Sequence, residues 1–301
     1  MGVLTVGSVA LDSIMTPFAQ VRDVLGGSAT FFSVAASYFT EVSIIAVVGK
    51  DFPKEHIRLF ENLGINTKGL EARDGSTFRW AGAYGYDLNE RDTIETRLNV
   101  FKEFKPILSE EHRRTEYLFL ANIDPELQYS VLQQVESPRL TALDTMNFWI
   151  EGKREELIRA IGCVDALIMN DGECRQLAGT HNIVKAARRI LSFGPRILVV
   201  KKGEHGALMF TENSMFSAPA FPVEDVFDPT GAGDSFAGGF MGYLAKIRET
   251  SEKNLREAVI YGTVMASFCV EKFSVEGMLN LKNSDIEERY NMLREVTRFG
   301  E

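Results

Sequence analysis

A chain of 301 residues can bury a substantial core without disulfide or metal staples, as one large α/β domain or as two smaller ones. A net charge of -9 argues against a protein that coats nucleic acid, although it says nothing about a local anion pocket. Three scattered cysteines, Cys163, Cys174 and Cys269, exclude a disulfide framework and read as reduced, buried structural thiols of a cytoplasmic protein. No stretch approaches the run of about 18 apolar residues that a membrane span needs.

In chain order, the apolar start MGVLTVGSVALDSIM has no basic leader and reads as a first strand. Further short runs rich in β-branched residues follow: VSIIAVVG, YLFLANI, LTALDTM, ALIMND and RILVVKKG. Between them the spacing predicts helices over 28–38, 53–63, 125–135, 153–161 and 183–192. Within 153–161, Leu157, Ile158 and Ile161 fall on one side and the charged residues largely on another. Strands alternating with helices imply βαβ units and a mostly parallel sheet.

One segment interrupts this order. STFRWAGAYGYDLNERDTIETRLNVF reads as a hairpin around a polar turn at 87–92, standing off the main sheet. Phe78 and Trp80 share one face, as do Tyr84 and Tyr86, so the hairpin either packs on its neighbours or serves as a lid over a ligand or another subunit's lid. Arg97 on the same hairpin is either a surface residue or a contact for an anionic ligand. No repeat or flexible linker divides the chain, which reads as a single domain over 1–301 with this excursion.

The stretch DPTGAGDSFAGGF, residues 228–240, carries the chemistry. Glycines at a loop-to-helix junction let backbone N–H groups converge where the helix dipole is positive, which suits an anion. Asp234, in the midst of such a site, either caps the helix or acts as a general base for transfer of a phosphoryl group to a hydroxyl. Other motifs fail on context: there is no G-x-x-x-x-G-K-[ST], no G-x-G-x-x-G after the first strand, and no G-x-S-x-G elbow around Ser235. The four histidines are too dispersed for a metal cluster or a triad.

With residues 228–234 in view, the chain resembles the ribokinase-like, or PfkB, family of carbohydrate and nucleoside kinases. GSVALD resembles the family's first strand ending in an acceptor-binding aspartate, here Asp12, and GGSATFFSVAAS its double-glycine motif at Gly26 and Gly27. NDGE is similar to the family's N-x-x-E element, with Asn170 and Glu173 acting on magnesium and phosphates largely through water. VVKKGEHGA stands in place of the T-x-G-x-x-G nucleotide element, with Gly203 and Gly206 matching.

The resemblance implies a three-layer α/β/α core with a mainly parallel sheet and a small β-lid, drawn from about 74–104 and a segment near 12–25. It implies Asp234 as base and Gly231, Ala232 and Gly233 as an anion hole, with Thr230, Asn170, Glu173, Lys201, Gly203 and Gly206 on the nucleotide side. It further implies ATP and Mg2+ (near Glu173), a monovalent cation such as K+ near Asp228, and adenine near 258–277. The chain departs from the family at Thr30 and Phe31, where an acceptor-contacting asparagine often stands, and at Lys201 and Lys202, where a lysine either reaches a phosphate or faces solvent.

An aspartate at a strand's carboxyl end can hold two neighbouring hydroxyls, which favours a polyol, furanose or ribosyl acceptor. Phe31, Phe32, Trp80 and Phe148 either stack on that acceptor or belong to the core. The expected activity is phosphorylation of a small sugar or polyol, with a nucleoside kinase close behind. A catalytically weak binding homologue and a hydroxymethylpyrimidine- or pyridoxal-type kinase are the further alternatives. A homodimer through the lid is a further expectation.

Overall fold

The computed structural model describes residues 2–298. Thirteen strands are described: β1 (Val3–Val6), β2 (Ala10–Met15), β3 (Gln20–Gly26), β4 (Val42–Gly49), β5 (Ile65–Arg73), β6 (Phe78–Tyr84), β7 (Arg91–Arg97), β8 (Tyr117–Leu120), β9 (Leu140–Asp144), β10 (Ala166–Asn170), β11 (Ile197–Lys201), β12 (Ala207–Thr211) and β13 (Met215–Ala218). Nine form the main sheet in the order β13-β12-β11-β10-β9-β8-β1-β4-β5. Its pairs from β11 to β5 are parallel, and β12 and β13 add an antiparallel edge.

Period-two alternation explains why these segments lie in the middle of the molecule. In β4, Val42, Ile44, Ala46 and Val48 enter the core on one face, while Ile45 and Val47 enter the core on the other. Both faces are apolar, as a parallel sheet covered by helices requires. The covering helices run close to the expected spans, for example Ser28–Ala36, Lys54–Asn62, Pro125–Leu132, Arg154–Ile161 and Ile183–Leu191. Helix Ala232–Ile247 follows the glycine-rich loop and packs between helices Ser28–Ala36 and Glu252–Cys269. A methyl at Gly239 would stand 2.6 Å from the Tyr261 carbonyl oxygen, so that glycine serves close helix packing and not the loop.

The remaining four strands form a separate sheet in the order β3-β2-β6-β7. The expected hairpin is β6 and β7, and the segment near 12–25 falls in β2 and β3, which make up the other half of this sheet. Its aromatic residues divide by position: Phe78 stacks on Phe101 at 5.5 Å, Tyr84 reaches the glycine-rich loop, and Tyr86 is 92% exposed. Arg97 pairs with Glu95 at 2.7 Å and lines a charged depression with Ser13, Asp23 and Arg79 on the surface of the small sheet.

Two further expectations need correction. Asp12 does not end the first core strand: the chain leaves the main sheet at Gly7, and Asp12 sits in β2 opposite Trp80. Of the cysteines, Cys174 and Cys269 are buried but Cys163 is exposed, and all three are free thiols. Among the described residues no helix is long and apolar enough to cross a membrane.

Candidate active site

The carboxyl ends of neighbouring parallel strands converge on the glycine-rich loop. β9 ends at Asp144, β10 at Asn170 and β11 at Lys201, with Ile168 beside Asp144 and Asn170 beside Lys201 in register. Open α/β sheets bind ligands on this edge. Above it Gly231 takes a left-handed conformation, φ 78°, and helix Ala232–Ile247 begins with no side-chain cap. The Ala232 N–H, expected in the anion hole, donates instead to the Pro229 carbonyl at 3.2 Å, whereas the first-turn N–H groups of Gly233 and Asp234 make no bond to the preceding loop and are open to an anion.

Asp228 anchors the loop from below. It is fully buried, one oxygen accepting from the Thr230 N–H at 2.9 Å and the other from the Ser274 N–H at 3.3 Å. Thr230 in turn shares a 3.0 Å hydrogen bond between its hydroxyl and that of Tyr84, which ties the small sheet to the loop. Phe31 is buried against Gly231, and Phe32 stacks on Phe119 at 4.1 Å; both belong to the core.

Asp234 stands in the first turn of that helix among charged groups from four other elements. Burial pushes its carboxyl up to about 8 and Asp144 adds to the push, while Lys201 and Arg91 oppose it. A carboxyl in that range is matched to proton transfer near neutral pH. Glu173 is raised to about 7 by burial and then by Asp144. Lys201 counters them: burial alone would lower its ammonium, but Asp144, Glu173 and Asp234 together hold it above the ordinary lysine value. Its Nζ donates to Asp144 at 3.1 Å.

Asn170 and Glu173 first satisfy each other. Asn170 caps helix Asp171–Ala178 by accepting from the Glu173 N–H at 2.7 Å, and Glu173 accepts from the Asn170 N–H at 2.8 Å. Gly203 and Gly206 lie in the turn between β11 and β12, both with positive φ, and Asn89 from the tip of the small sheet lies against Gly203.

Asp12, 4% exposed, occupies the small sheet's inner side, and its Oδ1 is buried without a hydrogen-bond partner. Burial pushes its carboxyl up to about 7, with the Gly27 N–H pulling down and Asp228 pushing up. Gly26 is required here because a methyl at that position would collide with the Asp12 carboxylate. Trp80 lies over Gly82, with the Arg91 guanidinium 5.8 Å from its ring centroid. Phe148 is exposed and packs on Trp149.

Asp12 and Gly26 thus lie in the small sheet, Asn170 and Lys201 at strand ends, and Thr230 to Asp234 in the loop and the first helical turn, whereas Phe31 and Phe32 lie in the core and Phe148 lies exposed on helix Asn147–Gly152. Sequence reasoning did not single out Asp144, Tyr84 or Arg91 as site residues. Asp144 lies two strands from Lys201 across β10, a relation visible only once the strand order is known. Among the described residues no group of three or more histidine, cysteine, aspartate or glutamate side chains forms a metal cage. The carboxyl-rich, electrostatically strained edge nevertheless fits a magnesium ion that keeps most of its waters.

A cytidine kinase from Thermococcus kodakarensis is 27% identical over 84% of this chain and 91% of its own length. The crystal structure of a nucleoside kinase from Methanocaldococcus jannaschii, described as an archaeal member of the ribokinase family, matches with a TM-score of 0.77 at 24% identity, covering 97% of this chain and 99% of that one. A ribokinase-like structure from E. coli in complex with ATP and Mg2+ matches with a TM-score of 0.80 at 18% identity, over 97% of this chain and 99% of its own. The pfkB family carbohydrate kinase pattern covers residues 4–280, which takes in the small sheet, the anion loop and every strand end that carries a site residue. On that ground the chain belongs to the pfkB family of carbohydrate kinases and is itself a kinase.

Proposed function

We propose that the protein transfers the γ-phosphoryl group of ATP to a hydroxyl of a ribosyl acceptor, a nucleoside, with Asp234 as the general base. The carboxylate of Asp234 accepts the hydroxyl proton as the acceptor oxygen bonds to the γ-phosphorus; the bond to the β–γ bridging oxygen breaks, and ADP leaves. The N–H groups of the loop hold the equatorial oxygens in the same step. Magnesium would lie near Glu173 through water and neutralise charge on the phosphates. The small sheet acts as the lid that keeps water out.

One observation carries the acceptor assignment. Asp12 presents a buried carboxylate oxygen with no hydrogen-bond partner among the described residues, on a strand paired in register with the one bearing Trp80. A vicinal diol would supply the missing donors, and an indole ring beside it would stack on a base. The likeness to a cytidine kinase over most of both chains supports the same reading. A free sugar or polyol is the second reading, favoured by the family's description as carbohydrate kinases.

The test is phosphorylation of a panel of nucleosides, sugars and polyols with ATP and Mg2+, read by product mass, with Asp234→Asn alongside. A nucleoside product lost in the variant is the expected result. Phosphorylation of sugars alone would overturn the acceptor assignment and leave the kinase.

A further inference from the structure

A lysine beside the start of a helix is out of place on electrostatic grounds, because the dipole there is already positive. Lys201 occupies such a place: a methyl on Gly233 would stand 2.7 Å from its Nζ, so the ammonium lies against the first turn of helix Ala232–Ile247. Its side chain is only 16% exposed and its ion-pair partner Asp144 is 7% exposed. Two positive features aimed at one point make sense if an anion arrives there, and Asp144 supplies the countercharge meanwhile. Resting on the proposed kinase site, we propose that Lys201 grips the transferred phosphoryl group of ATP and that Asp144 holds the ammonium in place until the nucleotide arrives.

The arrangement distinguishes this pair from a structural ion pair. Asp144 and Lys201 end strands on either side of β10, at the ligand-binding edge; Asp144 Oδ1 accepts from the Thr145 N–H at 2.7 Å, which leaves Oδ2 for the ammonium. Glu173 and Asp234 also act on the ammonium, so it is drawn toward the site as well as toward Asp144. Because ADP lacks the γ-phosphate, the grip must appear as a preference for the triphosphate.

The experiment is titration calorimetry with Mg2+ and either ADP or the β,γ-imido analogue of ATP, on the wild-type protein, Lys201→Met and Asp144→Asn. Loss of one charge-assisted contact predicts that Lys201→Met binds the imido analogue about 10- to 100-fold more weakly, with ADP affinity changed less than about threefold. Asp144→Asn removes the competitor for the ammonium, so its affinity for the imido analogue holds or rises. A merely structural pair predicts the same effect from either substitution, with both nucleotides affected alike. Equal losses of the two nucleotides in Lys201→Met, or an Asp144→Asn variant that copies Lys201→Met, would overturn the proposal. Lys201→Gln keeps length and polarity without charge, and carries the test if Lys201→Met does not fold. Since the readout is nucleotide binding, failure of every acceptor in the turnover panel would refute the nucleoside assignment and leave this result standing.

Discussion

Replacing Asp12 by asparagine should stabilise the ligand-free protein while disabling it. The carboxyl is moved from its ordinary 3.8 to about 7, chiefly by burial. That difference corresponds to about 4 kcal/mol at pH values above both figures. The sign follows from proton counting: between those two values the folded chain keeps a proton at Asp12 that the unfolded chain has released, so stability falls as pH rises through the window. Asparagine removes the charge but leaves an amide with a buried polar atom that also lacks a partner, which offsets about 1–3 kcal/mol of the gain. The expected result is a gain of about 1–3 kcal/mol at pH 8 that falls as pH is lowered and becomes a loss of about 1–2 kcal/mol near pH 4, where the charge term is gone and the amide cost remains. Urea unfolding of both proteins across that pH range measures it, and initial rates against acceptor concentration measure the loss of binding. A variant less stable than wild type at pH 8, or a gain that does not change with pH, would refute the argument.

Asp234, with its carboxyl at about 8, must be ionised to accept a proton, so kcat/KM should climb as pH rises through 7 to 8 and level off above that. Asp234→Asn should lower turnover at least about 100-fold and abolish that climb; a profile already flat from pH 6 to 9 would exclude it as the titrating base. Tyr84→Phe removes the hydrogen bond to Thr230, worth about 1 kcal/mol, and should raise acceptor-independent ATP hydrolysis about fivefold relative to transfer. Comparison of ADP release with and without acceptor tests this, and an unchanged ratio would mean that the contact does not guard the site.

The glycine-rich loop was legible because its chemistry is local: glycines, a strand before and a helix after place N–H groups and Asp234 together without reference to the rest of the chain. Asp12 was singled out from the sequence, but its setting was not legible there. VLTV and ALDSIM are equally strand-like, and nothing between them except Gly7 marks where the chain leaves one sheet for another. β5 was not singled out because INTKGLEAR is an edge strand with few apolar residues to betray it. The alternatives for Lys201 could not be decided by spacing. Its partner lies 57 residues earlier, and only the order β9-β10-β11 brings the two strand ends together.

In the N-x-x-E element a structural role is visible, and the chemical role proposed for it can be tested separately. Asn170 and Glu173 form a reciprocal cap, which by itself would explain their spacing at the start of a helix. A cap does not, however, need a buried charge, and Glu173 is held in one beside Asp144 with its carboxyl at about 7. Glutamine in its place retains an oxygen that can accept from the Asn170 N–H, so the helix start should survive. The buried charge disappears, so melting at pH 8 should be unchanged or higher. If Glu173 also orders the water around magnesium, the Mg2+ concentration needed for half-maximal rate should rise about 10-fold or more. Rates at saturating ATP across a magnesium series, with melting curves taken in parallel, read the two roles independently. Unchanged magnesium dependence with lowered melting would make Glu173 a cap alone. The opposite pattern would assign the burial of its charge to the metal.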